Sequence, residues 1–169
     1  MQIDEAISGR RTIKNFTSQA VPKELLEKVL SSGLWAQNHG MTEPWRFTIL
    51  GPETRETLAK SQEASRQKIL NAPAQVVVTQ VLASDEGVRR EDFAAVACAI
   101  QNIALTAWAE GLGMLWSTGR WTRGLETSAI IGIDASREEI IGFLNFGFPA
   151  DTPSAPPRKA LQEVLRVLP

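Results

Sequence analysis

The run from Arg90 to Glu110 constrains this chain more than any other stretch. Phe93, Val96, Ala97, Ile100, Ile103, Ala104, Ala107 and Trp108 fall on one helical stripe, while Ala94, Ala95, Cys98 and Leu105 lie off it. A helix that is apolar nearly all round must be covered on more than one side. The pattern therefore predicts either a buried central helix or one packed on two sides, with another subunit supplying one of them. A membrane span is the rival. Gln101, Asn102 and Thr106 interrupt the run well short of the ~20 apolar residues a bilayer requires, so that rival is set aside.

The flanking patterns show what such a helix packs against. Ala74 to Leu82 (AQVVVTQVL) is too rich in β-branched residues for a loop and reads as a strand, as do Trp45 to Leu50, Met114 to Ser117 and Ile140 to Phe148. Leu25, Leu26, Val29, Leu30 and Leu34 recur at helical spacing behind Pro22, so a helix is expected from Pro22 to Ala36. Shorter helices are expected at Ile3 to Ile7, Glu53 to Ser65 and Thr122 to Ile131, with Gly9 ending the first and Gly111 ending the long one. Asp151 to Pro157 holds three prolines and should be extended. Leu161, Val164, Leu165 and Leu168 then suggest a helical tail from Arg158, with an added strand as the other option. Strands separated by helices point to one mixed α/β layered domain over residues 1–169.

Composition narrows the chemistry. Net charge is −1, so no broad basic face for nucleic acid is expected. The lone Cys98 excludes an internal disulfide and a cysteine metal cage, and the lone His39 excludes a histidine-rich metal centre. No metal site is expected. The start, MQIDEAISGRR, places acids before its arginines and has no apolar signal core, so a cytoplasmic protein is the default expectation.

The candidate anion site is Arg10-Arg11-Thr12-Ile13-Lys14-Asn15-Phe16, in which three cations and a hydroxyl fall within five residues. Arg offers a planar fork of donors suited to phosphate oxygens and Lys a point charge. Arg158 and Lys159, behind the prolines, could return from the other end of the chain to enclose the same anion. The competing readings are a solvated basic turn and a charged tail. In the loop AQNHGMTEPWRF, His39 and Glu43 could form a base and its orienting group, but no nucleophile elbow accompanies them. Gly111-Leu112-Gly113 follows a helix and opens a strand, the reverse of a dinucleotide fingerprint. Trp35, Trp45 and Trp116 fall at loop or strand edges, where rings can flank a planar ligand or simply pack. An anion site and aromatics with little acid–base machinery are what a cofactor-dependent protein needs, because the cofactor carries the reaction.

Taken together, RRTIKNF near residue 10, EPWRF at 43–47, AEGLGMLWSTG at 109–119 and IIGFLNFGFPA followed by PPRKALQEVL resemble the flavin-dependent nitroreductase family, in its order and spacing. The resemblance spans nearly the whole chain and implies an α+β fold in which a small mixed β-sheet is wrapped by helices. It also implies a homodimer built on the long central interface helix, with FMN at the subunit interface and NAD(P)H as electron donor. The expected activity is hydride transfer to flavin N5 and ping-pong release of electrons to a nitroaromatic, quinone or similar small-molecule acceptor. No nucleic acid, membrane or catalytic side chain is called for.

Position by position, the resemblance implies that Arg10, Arg11 and Thr12 hold the FMN phosphate, that Lys14 lies near the pyrimidine end, and that Arg158 closes on the phosphate. Trp116, Ser117 and Thr118 match the segment along the isoalloxazine, and Glu110 and Gly111 fall where a compact subgroup meets the nicotinamide nucleotide. His39 matches a histidine that this subgroup brings to the flavin from the other subunit, and Trp35 stands where a basic residue is frequent. Met41 replaces a flavin-binding asparagine and Glu43 a glutamine. These departures keep two rivals open: a specialised dehalogenating or flavin-degrading relative, and a flavin-binding or redox-sensing module with little turnover.

Overall fold

Among residues 1–168, which the computed structural model describes, the chain forms six α-helices and four strands. In order they are α1 (Ile3–Gly9), α2 (Lys23–Ser31), β1 (Trp45–Ile49), α3 (Pro52–Ser61), α4 (Arg66–Leu70), β2 (Ala74–Val81), α5 (Glu86–Ala109), β3 (Gly113–Ser117), α6 (Leu125–Ile131) and β4 (Glu138–Gly147). The sheet order is β1-β2-β4-β3 and every neighbouring pair is antiparallel. A small helix-wrapped α+β sheet is thus present. Its only parallel element among the described residues is the single bridge from Thr12 to Met114.

Both faces of the sheet are covered, which is why β2 is apolar along most of its length. Val76, Val78, Ile141, Leu144 and Phe146 pack with Leu26, Val29 and Leu30 of α2 and Val96, Ala99, Ile100 and Ile103 of α5. Val77, Ile140 and Phe143 pack instead with Leu58 and Ala59 of α3 and Ile69 of α4. Ile140 and Phe143 share a face although three positions apart, because the register of β4 against β2 slips by one residue beside Gly142.

The α5 helix begins earlier than its apolar pattern. The Asp85 side chain accepts from the Val88 amide at 2.9 Å and so caps the helix start. Its buried face is Asp92, Ala95, Val96, Ala99, Ile100, Ile103, Ala104 and Ala107. Phe93, expected on that stripe, is 45% exposed, while Ala95 lies inside. The helix ends where expected: Gly111 has φ +78°, its amide donates to the Trp108 carbonyl, and Leu112 N–H reaches the Ala107 carbonyl at 2.8 Å. By length and mean hydropathy (1.3) α5 could cross a membrane, a test that a buried core helix also passes.

Two expectations need correction and one element was not foreseen. The helix expected to Ala36 stops at Ser31 and tightens into a 3-10 turn over Ser32–Trp35, where Gly33 sits so close to Ile103 that a Cβ would lie 2.8 Å from its terminal carbon. The α4 helix was not foreseen, because Arg66–Leu70 is too short to show a period. The tail forms only a 3-10 turn at Leu161–Glu163, and Leu161, Val164, Leu165 and Leu168 are exposed. An isolated helix of that length is marginal without a surface to pack on.

Residues 10–16 lie as an extended strap across one end of the sheet. Thr12 bridges to Met114 and Phe16 to Pro149, and Ile13 N–H donates to the Met114 carbonyl at 3.1 Å. Two glycines paired in register, Gly113 and Gly147, make the approach possible. A Cβ on Gly113 would lie 2.7 Å from Ile13, and one on Gly147 would lie 2.8 Å from Phe16. Gly113→Val should therefore lower stability by about 1–3 kcal/mol, read as a fall in Tm of roughly 2–10 °C by calorimetry. An unchanged Tm would show that the strap moves aside freely.

Candidate functional site

The strap alternates as extended backbone must. Ile13 is buried and anchors it, while Thr12 and Lys14 on either side are exposed. Across from them runs the proline-rich segment after β4, tied back by the Ala150 amide to the Asn15 carbonyl (3.0 Å) and by Asn15 Nδ2 to Asp151 (3.0 Å). Between the two lies a cleft of about 590 Å³, lined by Arg10, Arg11, Thr12, Lys14 and Asn15 on one side and by Asp151, Thr152, Pro153, Ser154, Pro156 and Arg158 on the other. Four cations from both ends of the chain thus meet in one cavity with a single acid. Arg11 is partly committed, since its Nη1 donates to the Ser8 and Arg10 carbonyls at 2.8 Å each. No salt bridge engages Arg10, Lys14 or Arg158 among the described residues.

A second cleft of about 450 Å³ shares Lys14 and Asn15 with the first, so the two are continuous. Its walls are Leu115, Trp116, Ser117, Thr118 and Gly119 from β3 and its exit, Gln67, Lys68, Asn71 and Ala72 from α4 and beyond, with Trp121 and Asn145. No carboxylate lines it. Trp116 lies over Gly142, where a Cβ would fall 2.3 Å from its Nε1. Trp121 packs at 4.7 Å on the Phe143 ring at a 54° tilt. Asn71 Nδ2 donates to the Lys14 carbonyl at 3.1 Å and links the α4 wall to the strap.

The α4 wall is held from behind by Arg55 of α3. Its guanidinium donates to the Ile69 carbonyl (3.1 Å), the Leu70 carbonyl (3.2 Å) and the Ala72 carbonyl, neutralising a helix C-terminus. Burial pushes the Arg55 pKa below its ordinary value, yet guanidinium remains charged at physiological pH.

The remaining candidates lie elsewhere on the protomer. His39 lines a separate hollow of about 350 Å³ with Gln37, Asn38, Glu91, Ala94 and Cys98, between its own loop and the first half of α5. No hydrogen bond joins His39 to Glu43 among the described residues. The loop is wound tightly: Gly40, Met41 and Glu43 all have φ between +42° and +59°. It is pinned by Thr42 Oγ1 donating to the buried Asp92 (2.7 Å) and by the Glu43 amide donating to Asn38 Oδ1 (3.1 Å). Trp35 is 88% exposed and lines neither cleft. Glu110 pairs with Lys28 at 2.8 Å, and Gly111 supplies the left-handed residue that ends α5. In the protomer both do structural work.

Asn15 fell within the candidate basic stretch but was given no role, and Asp151, Asn71, Lys68, Trp121, Asn145 and Arg55 were not singled out as site residues. Asn145 carried a signal, a lone amide inside the run IIGFLNFGF. Asn71 and Lys68 did not, because nothing in the sequence places α4 beside β3.

Comparison with known proteins identifies the class. The family model described as "Nitroreductase family" matches residues 7–81 and 55–148. The chain belongs to the nitroreductase family. It is 28% identical over 176 residues to a Bacillus subtilis protein named "Putative NAD(P)H nitroreductase YfhC", covering 94% of this chain and 90% of that one. Among solved structures, a nitroreductase-like family protein from Bacillus cereus superimposes with a TM-score of 0.90 at 29% identity, over 99% of this chain and 96% of the other. A Desulfovibrio desulfuricans structure described as "a putative nitroreductase in complex with fmn" matches with a TM-score of 0.82 at 25% identity, over 100% and 98% of the two chains.

Arg55→Met removes the charged donor from three carbonyls at the end of α4. We expect stability to fall by about 2–3 kcal/mol in urea unfolding. A loss under about 0.5 kcal/mol would mean that water satisfies those carbonyls.

Proposed function

We propose that this chain is an FMN-dependent NAD(P)H oxidoreductase that passes electrons to a nitroaromatic, quinone or similar small-molecule acceptor. The observation that carries this reading is the pair of continuous clefts, one rich in cations and one free of carboxylates, joined at Lys14 and Asn15. Each volume falls within the about 300–1,000 Å³ typical of small-molecule sites. The donor set suits FMN: Arg10, Lys14, Arg158 and the Thr12 hydroxyl for a phosphate, then amides, a hydroxyl and tryptophans for a planar ring. The relatives' names and the FMN-bound structure point the same way.

Bound there, FMN would supply the hydride and electron chemistry. The chain's own residues bind and orient. Arg10 and Arg158, which line the same cleft from the two chain segments that form it, would clamp the phosphate between them. Lys14 stands at the junction, where a cation stabilises negative charge that gathers on a reduced ring. Trp116, Ser117 and Thr118 line the cleft that would take the ring. No carboxylate or histidine lines the ring cleft, so orientation and electrostatics are the protein's contribution.

We extend the reading to a homodimer. Trp35, Met41, Phe93, Leu161, Val164 and Leu165 are large apolar side chains exposed on the protomer, and a second copy would cover them. In that assembly His39 and Trp35 reach the partner's flavin, which accounts for their distance from the protomer's own clefts. Glu110 and Gly111 remain candidates for contact with the nicotinamide nucleotide.

The purified protein should show a flavin absorption band that bleaches on anaerobic addition of NADPH or NADH. A band that neither bleaches would point to the binding or sensing module instead, and a protein that refuses added FMN would overturn the reading. Arg10→Ala should weaken FMN binding by roughly a hundredfold, the scale of a truncated charge-assisted contact, and an unchanged affinity would remove Arg10 from the site. Phe93→Asp should turn the dimer into a folded monomer in analytical ultracentrifugation. Ile100, at 2% exposure in the protomer's own core, cannot serve as that probe.

A further inference from the structure

Gln75 of β2 and Asn145 of β4 are amide side chains set among apolar neighbours and almost wholly buried, at 0% and 2% exposure. Burying an amide costs about 1–3 kcal/mol unless it is well partnered, so the pair calls for an explanation. They sit directly opposite each other across β2 and β4, and Asn145 sits opposite Leu115 of β3, so the three form a row across the sheet. Gln75 Nε2 donates to Asn145 Oδ1 at 2.6 Å. Asn145 Nδ2 donates to the Leu115 carbonyl at 3.3 Å and to Ser117 Oγ at 3.0 Å. Gln75 Oε1 is buried without a partner, so the row is anchored through its donor end.

The Leu115 carbonyl fixes the direction of the whole row. It can only accept, so the atom of Asn145 that faces it must be the amino group. That same group faces Ser117, whose Oγ is therefore the acceptor. A serine hydroxyl has one hydrogen and two lone pairs. With a lone pair held by Asn145, its hydrogen is left to donate elsewhere, and no described residue takes it. Ser117 lines the ring cleft beside Trp116.

We infer that Gln75 and Asn145 are positioning residues that fix the Ser117 hydroxyl as a hydrogen-bond donor into the ring cleft. This rests on the FMN reading above. The matching ligand atom is an acceptor at the edge of a planar heteroaromatic ring, a carbonyl oxygen or an unprotonated ring nitrogen. A donor there stabilises the electron-rich reduced ring more than the oxidised one. The amide row thus tunes the ring's potential as well as its affinity. Gln75 lies outside the cleft and acts only through Asn145.

The test refills apoprotein with FMN and measures affinity by fluorescence quenching, the visible spectrum, the midpoint potential and Tm. Ser117→Ala should weaken FMN binding about three- to tenfold, as loss of a neutral hydrogen bond does, and lower the midpoint potential, while Ser117→Thr should restore both. Asn145→Asp should act like Ser117→Ala although the hydroxyl remains, because the new carboxylate captures its hydrogen. Gln75→Met should move the potential in the same direction by a smaller amount. If Asn145→Asp fails to fold, Ser117→Ala and Gln75→Met decide the matter. An unchanged potential and spectrum in Ser117→Ala, or a Gln75→Met effect confined to Tm, overturns the inference and leaves FMN binding standing. A wild-type protein that binds no FMN overturns both.

Discussion

The structure depends on the close approach of an extended strap to a pair of glycines. Ile13 and Phe16 sit where the side chains of Gly113 and Gly147 would otherwise be, and that contact holds the N-terminal cations against the sheet. Cationic side chains are poor candidates for burial and hold no position of their own on a flexible turn. Here a fully buried Ile13 bears the packing, and the period-2 geometry of extended backbone turns Thr12 and Lys14 outward on either side of it. The cation-lined cleft is therefore a by-product of an apolar anchor. Each glycine of the pair belongs to a strand terminus, β3 beginning at one and β4 ending at the other. The sheet thus stops where the strap must cross.

Both clefts follow from this crossing. On one side the strap meets the proline-rich segment, which Asp151 and Ala150 tie to Asn15. Prolines limit how far that segment can wander once tied, so Arg158 arrives at the cleft with less entropy left to lose. On the other side the strap meets α4 through Asn71. The α4 helix is a single short turn and could not hold its place by helix propensity alone. Arg55 supplies the missing constraint by covering its last carbonyls. The two continuous clefts are thus fixed by unlike means, a tied proline-rich segment at the cation-lined one and a half-buried charge at the other.

Much of this was legible in the sequence, and the parts that were not share a cause. The strands at Ala74 and Ile140 showed themselves because burial on both faces demands continuous β-branched and aromatic runs, while the edge strand at Trp45 was legible from its aromatic and β-branched content alone. The cations at 10, 11, 14 and 158 were recognisable as a set by type, and the fold brings them into one cavity. Asn71, Lys68 and Trp121 were silent, because their importance comes from the docking of a short helix and a 3-10 turn beside β3, for which no period exists to read. Phe93 was assigned to the wrong side of α5 for a different reason. In a helix with apolar residues nearly all round, periodicity no longer points anywhere. Alanines stand on both sides, Ala95 and Ala99 buried and Ala94 and Ala109 exposed, so residue size did not mark the packed face either.

That asymmetry of α5 bears on how the site is completed. The inward face is built mainly of alanines and short branched residues, which let a helix sit close to a sheet. The opposite side carries Phe93 and, in the neighbouring loop, the exposed Met41 and Trp35. Met41 and Glu43 hold left-handed backbone that costs on the order of 1 kcal/mol each outside glycine. The buried Asp92 spends its hydrogen bond on keeping Thr42, and hence this loop, in place. A loop pinned in an unfavourable conformation so as to present apolar side chains to water makes no sense for an isolated protomer. It becomes intelligible if a second copy receives it, which makes the proposed dimer and the proposed contribution of His39 two consequences of one strained turn.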